Sequence, residues 1–310
     1  MPLFRKIKSF KTFLNSSDSR LRAIEERQYK LLERVEHIQE ALGRVEARQL
    51  RASDSWDLKD HEYRVFSQWG EDGIIQFLIR NLAIENKIFV EFGVEDYAQS
   101  NTRFLLINDN WHGLVFDSNG ENIAKIKNTA LYSLYDLAAV HAFVTADNIN
   151  QLLKENSVKG DIGLLSIDID GNDFWVWRAI DVIRPVIVII EYNHRFGPDA
   201  AVTVPYDESF NRWRSSQPLV YFGASLKALC LLAERKGYVF LGCNSNGVNA
   251  FFVRMDRKPK HFSPVSPEEG FVVGNFSELR DEHYKIIKSE PEVERRTVLN
   301  LPLIDVTSLD

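Results

Sequence analysis

Apolar positions along the chain follow two periods, and each predicts a different kind of element. Over residues 20–52 they recur at alternating steps of three and four. Leu21, Gln28, Val35, Leu42 and Gln49 hold one seam position, and Ile24, Leu31, Ile38, Val45 and Ala52 hold the other. A seam kept over more than four heptads predicts a coiled-coil helix, assigned to residues 16–53. The β-branched residues at the second position disfavour a parallel dimer, so a homotrimer is expected, with a tetramer next. Ahead of it, residues 1–15 place Leu3, Phe4, Ile7, Phe10 and Leu14 near helical spacing among Arg5, Lys6, Lys8 and Lys11. That is a basic amphipathic segment, read either as an interfacial helix making peripheral contact with an anionic membrane or as a soluble basic tail.

The heptad ends at Ser53-Asp54-Ser55, and short apolar runs then alternate with helical stretches. This is the pattern of a mostly parallel α/β sheet wound on both faces. A leading helix is expected at 71–83, strands near 88–92, 113–117, 139–144, 162–168 and 186–191, and helices near 100–108, 120–128, 147–156, 173–183 and 224–236. Residues 238–243 and 250–254 are strand-like runs joined by Asn244-Ser245-Asn246-Gly247, a turn that favours an antiparallel hairpin. The main domain is therefore placed at 54–255. Residues 256–310, Pro-rich and then charged, are read as a C-terminal tail wrapping the domain or a neighbouring subunit. In the front helix, Arg20-Leu21-x-x-Ile24-Glu25 resembles the trimerisation motif of short coiled coils, and Arg34-Val35-x-x-Ile38-Gln39 nearly repeats it.

Charge divides the chain unevenly: residues 1–53 carry 12 Lys and Arg against 7 Asp and Glu, and the remainder carries 26 against 37. An acidic body repels a phosphate backbone, so nucleic acid is not expected as a partner. Two cysteines, Cys230 and Cys243, are too few for a disulfide scaffold or a cysteine zinc site and fit a reducing compartment. With no run of 18 apolar residues and no signal-peptide pattern, a cytoplasmic location is expected, with the basic front end touching the inner membrane face where it binds lipid.

The chemistry is concentrated at strand ends, where doubly wound sheets hold their ligands. Four expected strands end in an acid: Glu91, Asp117, Asp168 and Glu191. Carboxylates converging on one rim repel one another unless a cation, donor or proton is supplied, and a ligand or metal is the simplest source. In the first turn Gly93 lets a ligand approach the backbone, and Asp117 is placed to accept ribose hydroxyls. The dinucleotide fingerprint is not met, because Glu91-Phe-Gly93-Val-Glu95 has one glycine where that fingerprint wants three. Asp168 and Asp170 in Ser166-Ile-Asp-Ile-Asp-Gly-Asn-Asp173 suit one hard divalent cation, with Glu191 as a third ligand, whereas Asp173 is read as a helix cap. An EF-hand is excluded by the glycine position and by the apolar strand in front.

Taken together, Ser67-Gln-Trp-Gly-Glu-Asp-Gly73, Phe89-Val-Glu-Phe-Gly93, Ser100-Asn-Thr102, Leu165-Ser-Ile-Asp-Ile-Asp-Gly-Asn-Asp173 and Ile189-Ile-Glu-Tyr-Asn193 resemble the FkbM-type methyltransferases over roughly residues 60–255. The resemblance implies a Rossmann-like methyltransferase sheet with its last strand antiparallel, S-adenosylmethionine as cofactor, and O-methylation of a sugar hydroxyl in a glycan, polysaccharide or sugar-containing metabolite. By it, Glu91, Gly93 and Asp117 match cofactor positions, and Asp168 matches the polar residue beside the transferring methyl. Gln68, Asn101 and Ser118 are counted with the cofactor site. The sequence departs from the family where Asp-Ile-Asp-Gly-Asn-Asp stands in place of the commoner Asp-Val-Glu-Gly. That brings it closer to metal-assisted sugar methyltransferases, which hold Mg2+ with acids at this edge.

Asp168 is thus the expected base or metal ligand, and His194, after the fifth strand, is a second base candidate. Residues 193–222 form a long connection of the kind that makes lids or binding loops. Asn193, Arg195 and Tyr206 in it are expected to meet the acceptor, together with Arg212 and Arg214. Two other readings stand beside this one. Asp168-x-Asp170 also resembles the metal-binding pair of glycosyltransferases that use nucleotide sugars. A trimeric scaffold that binds a ligand without turning it over is the other.

Overall fold

Alternation along the strands decides the layers. In the computed structural model, which describes residues 2–213, 217–274, 276, 279 and 285–309, with side chains from residue 20 on, neighbouring strand residues point into two separate cores. Val90 and Phe92 pack with Trp177, Leu229 and Phe252 on one face, while Phe89 packs with Ile74, Leu105 and Ile123 on the other.

The elements run α1 (Pro2–Gln49), α2 (Glu71–Asn81), β1 (Ile88–Phe92), α3 (Arg103–Asp109), β2 (His112–Asp117), α4 (Gly120–Lys127), α5 (Ala130–Leu134), β3 (Leu137–His141), α6 (Ile149–Glu155), β4 (Gly160–Ile167), α7 (Asp173–Ala179), β5 (Ile183–Glu191), β6 (Val202–Thr203), α8 (Leu226–Arg235), β7 (Tyr238–Cys243), β8 (Asn249–Arg254), α9 (Pro267–Gly270), α10 (Pro291–Leu299) and β9 (Ile304–Asp305). Seven strands form one sheet in the order β3-β2-β1-β4-β5-β8-β7. The first five in chain order are parallel, and β8 runs antiparallel to both β5 and β7. This is the Rossmann-like α/β sheet with an inserted antiparallel strand that the hairpin pattern predicts. The strand order reverses between β1 and β4, so both of these strands open onto the crevice where such sheets hold ligands.

Local chemistry explains the element ends. Ser225 accepts from the Ala228 amide and starts α8, whose Leu226, Leu229 and Leu232 are buried at helical spacing. Asn244 turns the β7–β8 hairpin by accepting from the amides of Val248 and Asn249. Two boundaries differ from expectation. The third strand forms at 137–141 rather than 139–144, because Thr145 and Asn148 bond each other's backbone and begin a helix there. The seventh helix stops at Ala179 and β5 starts at Ile183. Pro185 lies inside β5 but ahead of Ile187, where pairing with β8 begins, so its missing amide breaks no ladder on that side.

Residues after Met255 run back over this same domain. Phe262 packs on Phe77, the Tyr192 hydroxyl donates to the Val272 carbonyl at 2.6 Å, and β9 pairs with β6. The long helix α1 docks by its C-terminal part alone among the described side chains. Gln39 donates to the Val65 carbonyl, Arg103 meets Glu36 at 3.1 Å, and a Cβ on Gly43 would lie 2.4 Å from Val65 Cγ2. Its seam residues Leu21, Ile24, Leu31, Val35, Ile38, Leu42 and Val45 stay 47–60% exposed. The side chains of residues 1–15, and so their expected amphipathic face, lie outside the described residues. No helix among the described residues is long and apolar enough to cross a membrane.

Candidate active site

At the carboxyl ends of β1, β2, β4 and β5 the chain leaves a cleft of about 570 Å³, within the range of small-molecule and cofactor sites. Its lining includes Gly93, Asp117, Ser118, Phe143, Asp168, Asp170 and Glu191, with Gln68, Trp69 and Phe276 as a roof. Of the expected cofactor residues, Gln68, Gly93, Asp117 and Ser118 are therefore in the cleft, whereas Glu91 and Asn101 do not line it.

Glu91 is turned inward and saturated. It accepts from Ser100 Oγ at 3.0 Å, from the amides of Asn101 and Thr102 at 2.9 and 3.2 Å, and from Thr102 Oγ1 at 2.5 Å. Burial pushes its pKa up against these bonds. Asn101 in turn reaches Ser166 Oγ at 3.1 Å. The Ser100-Asn-Thr102 block thus clamps the β1 end, with Glu91 and Asn101 both engaged in it. Gly93 also has a different reason from the one expected. Its φ is +74°, and a Cβ there would fall 1.7 Å from the Asp168 carbonyl oxygen, so the crossing of β4's exit by itself requires a residue without a side chain.

Asp117 binds the two adjoining loops together. It accepts from the amides of Glu95 and Asn119, each at 2.8 Å, and from Asn122 Nδ2 at 3.3 Å. A carboxylate has about four acceptor positions, so one remains for a ribose hydroxyl rather than two. The block at 67–73 is likewise architectural. Asp72 gathers the amides of Val65, Phe66 and Ser67 at 2.7–2.8 Å, and burial pushes its pKa up to about 6. Glu71 accepts from Asn244 and Asn249 of the hairpin, both at 2.8 Å. These bonds hold Gln68 and Trp69 over the cleft, with Trp69 stacked on Phe276 at 5.4 Å.

The other end of the cleft is acidic. Oxygens of Asp168, Asp170 and Glu191 lie within 4.8 Å of one another. Burial, then the charges of Asp170 and Asp173, hold Asp168 well above the usual carboxylate range, and burial, then the charges of Asp168 and Asp170, do the same for Glu191. Glu191 Oε2 is buried with no hydrogen-bond partner. Asp170 adopts a left-handed φ of +55° and meets Arg212 Nη1 at 2.5 Å. Arg212 is fixed by its Nε bond to the Leu219 carbonyl at 2.6 Å and by the Phe222 ring 3.9 Å below its guanidinium. Asp173 accepts from the amides of Ile169 and Gly171, both at 2.9 Å, and closes the acidic turn. Three converging carboxylates, one oxygen unsatisfied, fit a hard divalent cation.

The 193–222 connection supplies walls more than acceptor contacts. Asn193 is buried, donating to the carbonyls of Val220 and Phe222 at 2.8 and 3.0 Å. Arg195 is 3% exposed and pairs with Glu294 of α10 at 2.6 Å. Tyr206 bonds Asp147 beside Trp175. None of the three lines the cleft, because each is already spent on holding the loop. His194 sits behind Phe276, its Nε2 buried. Burial and then Arg195 push its pKa down to about 3, so it is no base facing the cleft. Arg214 lies outside the described residues. Sequence reasoning missed Phe143, Phe210 and Trp213, three aromatics at the cleft. Their only signal was an apolar side chain in an otherwise polar loop.

The sequence profile of the methyltransferase FkbM domain matches residues 76–240. The chain belongs to the FkbM methyltransferase family. The enzyme class is thereby methyl transfer rather than glycosyl transfer. No curated protein matches the sequence. Among solved structures, the N-terminal domain of EvdMO1 with S-adenosylhomocysteine bound is 8% identical, with a TM-score of 0.38 over 68% of this chain and 94% of that one. An S-adenosylmethionine-dependent methyltransferase from Clostridium acetobutylicum is 10% identical, with a TM-score of 0.38 over 69% and 98%. An O-methyltransferase from Bacillus cereus in complex with S-adenosylhomocysteine is 13% identical, with a TM-score of 0.35 over 69% and 88%.

Proposed function

We propose that this FkbM methyltransferase uses S-adenosylmethionine to O-methylate a sugar hydroxyl, with Asp168 beside the reacting atoms. The observation that carries the reading is the polarity of one cleft: Asp117 and Ser118 at one end, the Asp168–Asp170–Glu191 cluster at the other. The cofactor supplies an electrophilic methyl. The protein's part is to align the acceptor, exclude water and take the hydroxyl proton. A carboxyl whose pKa is raised above the usual carboxylate range is a stronger base for that proton transfer. Phe143 and Trp213, 43% and 59% exposed at the cleft, offer flat apolar faces of the kind that pack against sugar rings. Where Mg2+ is bound, Asp168, Asp170 and Glu191 would hold it, and it would lower the acceptor hydroxyl's pKa.

The open seam of α1 supports self-association of the chain through a trimeric coiled coil, which leaves the clefts free. Calorimetric titration with S-adenosylmethionine and S-adenosylhomocysteine, with and without magnesium, tests the central reading. Micromolar binding weakened by Asp117→Ala supports it, and no binding under any condition overturns it.

A further inference from the structure

Two of the segments that line the cleft are held from outside it. One carries Gln68 and Trp69, and the other is the turn after β1, which contributes Glu95 and Gln99. That turn is strained. Glu95 and Tyr97 take left-handed φ values of +49° and +64°, a conformation that residues other than glycine keep only where their surroundings fix it. From within the domain, Asp117 accepts the Glu95 amide at 2.8 Å, and the Tyr97 hydroxyl bonds Thr102 Oγ1 at 2.9 Å. From the side of α1 the turn is held by Arg103.

Arg103, the first residue of α3, joins three parts of the chain. Its Nη1 donates to the carbonyls of Tyr97 and Ala98 at 3.4 and 3.3 Å, directly ahead of Gln99. Its guanidinium lies 4.4 Å from the centre of the Phe66 ring, two residues ahead of Gln68. Its Nη2 donates to Glu36 Oε1 of α1 at 3.1 Å. Gln39, one turn further along α1, donates to the Val65 carbonyl. After it, a Cβ on Gly43 would meet Val65 Cγ2 at 2.4 Å and Phe104 Cζ at 3.1 Å. Glu36, Gln39 and Gly43 recur at steps of three and four beside the exposed seam of Val35, Ile38 and Leu42. α1 therefore turns one face to its own domain and leaves another for partner helices.

We infer that Arg103 is a positioning residue of this methyltransferase. It ties the Gln68–Trp69 segment and the strained turn to each other and, through Glu36, to α1, so that two borders of the cleft are set before the cofactor arrives. A guanidinium suits the task, because its flat face lies on an aromatic ring while its edge donates to several acceptors at once. An ammonium has no such face. The inference rests on reading the cleft as a cofactor site. The docking stripe of α1 then belongs to the frame of that site, whereas the seam beside it does not.

The test uses the full chain, with S-adenosylhomocysteine as probe, read by calorimetry, thermal melting and hydrogen exchange resolved by peptide. Arg103→Met keeps an apolar stem against Phe66 and removes every donor. It should bind the probe about tenfold more weakly, the effect of about one hydrogen bond from a charged group. In the ligand-free protein, exchange should quicken about tenfold at residues 65–69 and 95–99, with β4, β5 and α8 exchanging as in the parent. Arg103→Lys keeps a charge for Glu36 and should recover the parent's melting but not its affinity, which a role in stability alone would restore together. Glu36→Ala/Gln39→Ala removes only the two polar contacts from α1 and should move affinity and loop exchange the same way by about threefold, with sedimentation unchanged. Parent affinity in Arg103→Met or Arg103→Lys, or exchange that quickens throughout the domain, overturns the assignment. A parent that does not bind the probe overturns the cofactor reading by itself, and exchange at the two segments still decides whether Arg103 holds them.

Discussion

Asp168 and Glu191 end adjacent parallel strands, their neighbours Ile167 and Ile190 being paired in register, and their carboxylate oxygens come within 4.8 Å. Burial first, and then the charge of Asp170 on Asp168 and of Asp168 on Glu191, raise both pKa values. A folded-state pKa above the unfolded one means that folding takes up a proton. The resulting stability is present below the unfolded carboxyl pKa and is lost as pH rises through the raised value.

Glu191→Gln is therefore expected to stabilise the metal-free protein at pH 7.5 by about 1 kcal/mol and to flatten the decline in stability as pH rises above the ordinary carboxyl range. Urea midpoints of the two proteins across that range check it. Identical slopes would show that Glu191 is not part of the repelling pair. Magnesium should raise the parent's midpoint at pH 7.5 and leave the variant's nearly unchanged, since the variant lacks one ligand charge.

Asp117 serves two masters, cofactor and loops, so Asp117→Asn should act twice. Loss of the charged acceptor of the Glu95 and Asn119 amides is expected to cost about 1–3 kcal/mol of stability. Affinity for S-adenosylhomocysteine should fall by about tenfold, the effect of about one hydrogen bond to a charged group. Equal affinity in parent and variant would remove Asp117 from the cofactor site.

Arg195 and Glu294 form a buried ion pair between the 193–222 connection and α10. Removing one partner alone, as in Glu294→Ala, is expected to destabilise by about 3–5 kcal/mol. A denaturant melt that moves by less than about 1 kcal/mol would return Arg195 to the list of acceptor contacts.

His194→Asn separates a buried histidine from a working base. A general base contributes about 10²–10⁴-fold. With its ring behind Phe276 and its pKa pushed down to about 3, the variant should keep kcat within tenfold and keep the parent's pH profile. Loss of the acidic limb of that profile would reinstate His194.

Replacing Ile24 and Ile38 with glutamate puts charge on two exposed seam positions of α1. Sedimentation should show the assembly dissociating while cofactor affinity is unchanged. A parent that sediments as a monomer would refute the trimer directly.

The meeting of Asp168 and Glu191 was legible because the last residues of adjacent parallel strands are confined to one sheet edge, whereas Glu91 and Asp117, from the same kind of strand end, are drawn off to their own loops. What each acid touches was not legible. Glu91 and Gly93 owe their chemistry to Thr102 and Asp168, partners set by how neighbouring strands exit. Asn193, Arg195 and Tyr206 read as acceptor contacts because a long polar connection has no period to say which side chains turn inward. Arg195 finds its partner in α10, and Arg212 its own at Asp170. Ion pairs across such separations leave no local trace.

The contact of Gly93 with the Asp168 carbonyl makes the floor of the cleft stiff, because the first-strand turn and the acidic turn cannot part without breaking backbone packing. Traffic in and out must then be accommodated above, where Gln68, Trp69 and Phe276 form the roof. Gln68 and Trp69 come from the family-like block just ahead of residues 76–240, and Phe276 comes from the tail after them. Turnover speed would then be set where the start of the domain meets the tail, away from the acids that carry the chemistry.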